Sequence, residues 1–253
     1  MNNILFACDI DNTIIHSYRH LTKGDVCVEH LNNQKQGYMY KNTYENLSDA
    51  LKGIVFLPIT TRTIEQYRRI IWPTNCRPDY AIVSNGANLI YKNIPNKEWK
   101  TESKLTVKQY DEDYKAISEI LLKEDIRSSD MADNMFLRIY CHSHLDAKHL
   151  FEIINPKTEL ELMVDGRKLY CFCPKINKGT ALVKAKLLFN QTITVCAGDS
   201  INDLQMLNCS DIAIIPNNSL QQFVTTQKLV CPKSKHFSDY IIEKLFEIKK
   251  QQL

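Results

Sequence analysis

Two aspartates stand one residue apart in the stretch ILFACDIDNTII, Asp9 and Asp11, with Asn12 and Thr13 just behind them. The run from Ile4 to Cys8 is apolar throughout, and Ile14-Ile15 resumes the pattern. Two carboxylates at the end of a core strand lose hydration, and that loss needs compensation. They also repel each other unless a cation lies between them or one holds a proton. A divalent metal with oxygen ligands, Mg²⁺ for example, meets that need. Alone, Asp-x-Asp is a weak signal, since surface turns carry it too.

Three further stretches pair the end of an apolar run with reactive side chains. In PITTRT, Thr60 and Thr61 follow a predicted strand and precede a predicted helix. Hydroxyls and free N–H groups there suit an anion, although plain N-capping by Thr60, Thr61 or Thr63 gives the same pattern. In PKINKGTALVKAKLL, Lys178 heads a helix, where the dipole prefers acidic groups, so an anion close by would explain it. In VCAGDSINDLQML, Asp199, Asn202 and Asp203 follow Gly198 at the end of another strand. They offer further oxygen ligands, or helix caps at Asp199 or Ser200.

These stretches need a frame that brings strand ends together. Short apolar runs alternate with helix-like segments, the pattern of an α/β fold with a doubly wound parallel sheet. Predicted core strands are Asn3 to Cys8, Ile54 to Ile59, Tyr80 to Ser84, Thr194 to Ala197 and Ile212 to Ile215. Predicted helices are Lys41 to Lys52, Ile64 to Ile71, Lys178 to Phe189, Ile201 to Asn208 and Phe237 to Lys250. CVEHLNNQKQGYMY reads as a hairpin turning within Asn32 to Gly37. From Ala87 to Pro174 the chain is more polar. There the pattern predicts a helix at Glu112 to Lys123, a strand at Met135 to His142, a helix at Asp146 to Ile154, and two strands turning at Asp165-Gly166. That block has the size of an inserted domain. Residues 1–86 and 175–253 then form the core, and 87–174 the insertion. Open parallel sheets bind ligands beyond the carboxyl ends of their strands, which is where all four stretches lie.

Composition narrows the choice of chemistry. The 253 residues carry a net charge of +3, with basic and acidic groups interspersed, so nucleic acid is not an expected partner. The apolar runs are too short to span a bilayer, and the N-terminus lacks the pattern of a secretory signal. The nine cysteines include no Cys-x-x-Cys, and they read as reduced core residues of a cytoplasmic protein.

Taken in order, these stretches resemble the motifs of the haloacid dehalogenase (HAD) superfamily of phosphohydrolases. DIDNT resembles the first motif, the threonine of ITTR the second, Lys178 the third and GDSINDLQML the fourth. GDSxND, Ser84-Asn85-Gly86 and the place of the insertion resemble members with a C2-type cap, the sucrose-phosphatase-like and Cof-like groups among them. Asn12 and Thr61 depart from the pattern, standing where glycine is frequent.

The resemblance implies a Rossmann-like core with an inserted α+β C2-type cap, and a Mg²⁺-dependent phosphatase acting on a small phosphomonoester such as a sugar phosphate. Asp9 would be the nucleophile, forming an aspartyl-phosphate, and Asp11 the general acid and then base, its pKa held above that of Asp9. Thr60, Thr61 and Lys178 would hold the phosphoryl group. The metal set would be Asp9, Asp199, the Asp11 carbonyl, and Asn202 or Asp203 through water. Asn12 and Thr13 would only shape the turn, and His16 to Tyr40 would form an enlarged flap. Among the cap's polar positions, Arg138, His142, His144, Arg167 and Lys168 would be available to read a hydroxylated or anionic substrate. The same scaffold also supports a phosphotransferase of the phosphomannomutase type, or a non-catalytic regulatory protein.

Overall fold

The structure is a computed structural model, described here over residues 4–189 and 191–251. The first part of the core contains β1 (Ile4–Cys8), β2 (His16–Ser17), β3 (Val26–Leu31), β4 (Gln34–Met39), α1 (Lys41–Leu51) and β5 (Ile54–Pro58). It continues through α2 (Ile64–Arg68), β6 (Tyr80–Val83), β7 (Asn88–Tyr91) and β8 (Ile94–Pro95). Next come α3 (Lys97–Lys108), α4 (Asp111–Leu121), β9 (Ser128–Ala132), β10 (Phe136–Tyr140), α5 (His144–Ile154), β11 (Glu161–Asp165) and β12 (Lys168–Phe172). The chain ends with α6 (Lys178–Lys186), β13 (Ile193–Ala197), α7 (Leu204–Asn208), β14 (Ile212–Ile215), β15 (Gln227–Val230) and α8 (Phe237–Gln251).

A five-stranded sheet, ordered β15-β14-β13-β1-β5 and parallel throughout, forms the centre. β1 lies inside it because both of its faces are apolar. Ile4, Phe6 and Cys8 pack into the cluster that holds Leu47 of α1 and Leu245 of α8. Leu5 and Ala7 point the other way, into the cluster with Leu182 of α6 and Leu207 of α7. This alternation makes the sheet doubly wound. Inserted into it is a second sheet, ordered β11-β12-β10-β9 and antiparallel, with its own apolar cluster backed by α4 and α5. Core and cap match the expected architecture. Leu89, Ile90 and Trp99, beyond residue 86 in the chain, pack into the core clusters.

Several elements differ from their sequence-based form, each for a local reason. Tyr80–Val83 is not a ladder strand of the central sheet, which it meets only through the bridge Ile59↔Ile82. Ser84, Asn85 and Gly86 all have positive φ, so the chain reverses and β6 pairs antiparallel with β7. Gly86 is needed there, since a Cβ would lie 2.7 Å from the Asn177 carbonyl oxygen. Helix α2 stops at Arg68 rather than Ile71, because the Ile71 N–H donates to the Val28 carbonyl at 2.8 Å and draws the chain beside the hairpin. The hairpin turns on Asn32-Asn33, both left-handed, the shape a two-residue loop needs. Residues 201–208 begin as one 3₁₀ turn, Ile201–Asp203, before α7. β9, β15 and α3 were not foreseen; the two strands lie at sheet edges and are mostly exposed or half-buried, and α3 buries only Trp99, Ser103 and Val107. The expected start of the first strand, Asn3, lies outside the described residues. All nine cysteines are free, with Cys27 and Cys209 half-buried and the others buried. No helix among the described residues is long and apolar enough to cross a membrane.

Candidate active site

Sheet register brings the motifs to one edge. Cys8 aligns with Ala197 on one side and with Pro58 on the other, so Asp9 and Gly198 emerge at the same level, with Thr60 one residue farther along its chain. The Asp9 N–H donates to the Ala197 carbonyl at 2.9 Å, and the Ile59 N–H to the Cys8 carbonyl at 2.8 Å. Asn12 then turns the chain with φ 57°, a conformation asparagine tolerates. That explains how it stands where glycine is frequent.

Lys178 is the hub. Its Nζ donates to Asp9 Oδ1 at 2.5 Å and to Asp203 Oδ1 at 2.6 Å, with all three side chains buried. The anion inferred from its place at a helix start is therefore a pair of carboxylates. Asp203 Oδ2 accepts from the Asp199 N–H at 3.1 Å, the Ser200 N–H at 3.0 Å and the Ser200 hydroxyl at 3.0 Å. Gly198 is required beside it, because a Cβ there would fall 2.5 Å from that of Asp203. Thr13 does more than shape the turn. Its hydroxyl lies 3.2 Å from Asp199 Oδ1 and 3.5 Å from Asp9 Oδ2, tying the two carboxylates together. Asn202 is turned toward Asn85, to whose Oδ1 it donates at 3.3 Å.

Ligand atoms of Asp9, Asp199 and Asp203 all lie within 4.8 Å of one another. Three carboxylates against the single ammonium of Lys178 leave an uncompensated negative charge in a buried place. Burial first, and then the neighbouring carboxylates, push Asp9 well above the usual carboxylate range, against the pull of Lys178. The same causes raise Asp199 to about 7. A donor set of hard oxygens that repel one another fits a divalent cation.

Asp11 faces the other way. Arg62 grips it with both prongs, Nε to Oδ2 at 2.8 Å and Nη2 to Oδ1 at 2.7 Å. Arg62 also reaches Glu29 Oε2 at 2.9 Å, and Glu29 Oε1 takes Arg69 Nε at 3.1 Å. Burial favours the neutral form of Asp11, yet the charge and hydrogen bonds of Arg62 outweigh it and hold the carboxyl below its ordinary value. The expected order, Asp11 above Asp9, is thus reversed by these neighbours. Sequence reading missed Arg62 and Glu29; Arg62 lies inside PITTRT, but its partner sits 33 residues away on β3.

The two threonines separate. Thr60 is fully buried, and its hydroxyl accepts from the Arg62 N–H at 3.2 Å, leaving its own hydrogen to donate. Thr61 lines the outer cavity. Neither caps α2: Thr63 does, in a reciprocal pair with Gln66. The cavity, 760 Å³, opens above Asp11 between the core, the β2–β4 sheet and the cap strands. Arg138, Arg167 and Lys168 line it, whereas His142 pairs with Asp125 at 3.2 Å and His144 bonds to the Gly166 carbonyl at 2.8 Å. The expected flap does border the site, through Ser17, Arg19 and Gln36.

Comparison with known proteins identifies the family. The family model for sucrose-6F-phosphate phosphohydrolase matches residues 2–237. A search of curated protein sequences returns no match. Among solved structures, the sucrose-phosphatase of a Synechocystis species, in complex with sucrose and phosphate, superposes with a TM-score of 0.68 at 12% identity, over 98% of this chain and 99% of that one. A haloacid dehalogenase-like hydrolase from Bacillus subtilis gives 0.55 at 12% identity, over 97% and 91%. Trehalose-6-phosphate phosphatase from Aspergillus fumigatus gives 0.52 at 12% identity, over 97% and 93%. At these identities the likeness to solved structures is one of fold, and the family match carries the assignment. The chain belongs to the sucrose-6F-phosphate phosphohydrolase family and is a capped hydrolase of the HAD superfamily.

Proposed function

We propose that the protein is a Mg²⁺-dependent phosphatase that hydrolyses a small phosphomonoester, a sugar phosphate, through an aspartyl-phosphate on Asp9. The observation that carries this reading is the buried Lys178 bridging Asp9 and Asp203 beside Asp199. A carboxylate fixed by an ammonium at a strand end is aimed at an incoming phosphorus.

Asp9, Asp199 and the Asp11 carbonyl would hold Mg²⁺, with Asp203 and Asn202 behind them. When bound, the ion supplies positive charge that lets an anionic phosphoryl group approach anionic Asp9. In the first step an Asp9 oxygen attacks phosphorus, the bond to the ester oxygen breaks, and Asp11 gives that oxygen a proton. In the second, Asp11 takes a proton from water, whose oxygen attacks phosphorus and frees inorganic phosphate and Asp9. Asp11 must therefore be protonated once the ester is bound. An incoming phosphate dianion beside it works in that direction, since a like charge raises a carboxyl pKa. Thr60, Thr61 and Lys178 donate to the non-reacting oxygens, where charge gathers during transfer. Within residues 87–174, the sheet β9–β12 with α4 and α5 acts as the cap, whereas Leu89, Ile90 and Trp99 stay with core residues 1–86 and 175–253.

Product analysis tests this reading. With Mg²⁺, a sugar phosphate and a second sugar offered as acceptor, every phosphoryl group should appear as inorganic phosphate. A phosphorylated acceptor would instead mark a transferase.

A further inference from the structure

Building on the phosphatase reading, we propose that the leaving group carries a second anionic group, a phosphate or carboxylate, held at the outer end of the cavity by Arg19, Arg167 and Lys168. Cations without carboxylate partners point to it. Around Asp11 the inner cations are matched: Arg62 with Asp11 and Glu29, Arg69 with Glu29, and Arg138 with Asp130 at 2.8 Å. Farther out the balance fails. Arg19, Arg167 and Lys168 have no carboxylate within 4 Å among the described residues, and all three line the 760 Å³ cavity above Asp11.

A second cavity, 740 Å³, continues outward and shares Arg19, Arg167 and Lys168 with the first. It adds Arg127, also without a carboxylate partner among the described residues. Asp165, across the ladder from Lys168, is the acidic residue that the two cavities share. One carboxylate faces four cations.

Like charges gathered on concave walls raise the local potential and repel each other, which favours an anion between them. Guanidinium groups are the side chains best shaped for phosphate or carboxylate, binding either with two parallel hydrogen bonds. A neutral sugar needs none of this charge. The cations also come from two separate parts of the chain: Arg19 follows β2, and Arg167 and Lys168 lie at the β11–β12 turn. An anion between them would therefore bind flap to cap and close the site over Asp11.

Matched substrate pairs test the inference. With Mg²⁺, kcat/KM is measured for 6-phosphogluconate against glucose 6-phosphate, and for fructose 1,6-bisphosphate against fructose 6-phosphate, with p-nitrophenyl phosphate alongside. We expect at least one pair to favour the doubly anionic ester by tenfold or more, mainly through KM, and the advantage to shrink as salt rises. Which pair responds tells carboxylate from phosphate. In R167Q/K168Q, and separately in R19Q, that ratio should fall at least fivefold. Ratios near one for both pairs in the wild type would overturn the inference, as would ratios the variants leave intact. Failure to release phosphate from any ester, p-nitrophenyl phosphate included, would instead overturn the phosphatase reading and this inference with it.

Discussion

Asp9 and Asp11 share a turn yet live in opposite fields, and the difference is made by their partners. Asp9 shares a buried pocket with Asp199, Asp203 and one ammonium, whereas Asp11 is gripped by a guanidinium. The first pocket has a sign that experiment can read. Asp199, raised from 3.8 to about 7 by burial and then by Asp203, holds its proton in the folded state over a range where the unfolded chain has lost it. The metal-free protein should therefore lose stability as pH rises through that window. A cation relieves the repulsion and competes with protons for the same oxygens. We expect Mg²⁺ to raise the melting temperature more at about pH 8 than at about pH 5; an equal gain at both would argue against a carboxylate cation site. The residues of this pocket were legible in the sequence because each sits where an apolar strand stops. Arg62 was not, because its role depends on Glu29, which no local pattern connects to it.

At the scale of elements, the hairpin of β3 and β4 does the least expected work. It presents Glu29, 4% exposed, to Arg62 and Arg69 at once, so an edge element holds the arginine that holds Asp11. Glu29→Ala should cost about 1.5–3 kcal/mol in a denaturant titration, the range for a lost charged hydrogen bond. It should also loosen Arg62, and kcat should fall with it. Unchanged stability and kcat would mean that the hairpin does not support the site. Buried strands β1, β5, β13 and β14 were readable because apolar runs of strand length have few alternatives. β9 and β15 were not, since their residues stay mostly exposed or half-buried and leave no apolar run. β6 was readable as a strand but not in its pairing, which the left-handed run after it decides.

For the molecule as a whole, cap and core meet through a specific latch. Asp133, in the turn between β9 and β10, accepts from the Ser84 hydroxyl at 2.5 Å and from the Ile64 N–H at 2.8 Å. Both donors belong to the core, so the latch sets how the cap rests over Asp11. Asp133→Ala removes charged hydrogen bonds worth about 1.5–3 kcal/mol, and should lower kcat/KM for a sugar phosphate about tenfold or more. A value unchanged within twofold would place cap closure elsewhere. Neither partner could be foreseen, since residues 84 and 133 meet only once both domains are folded. All of this geometry serves one claim, that Asp9 attacks phosphorus. The direct measurement is Mg²⁺-dependent phosphate release from p-nitrophenyl phosphate by Asp9→Asn, with its circular dichroism and melting checked against the wild type. The account predicts a folded protein that releases no phosphate above background; a folded variant with full activity would contradict it.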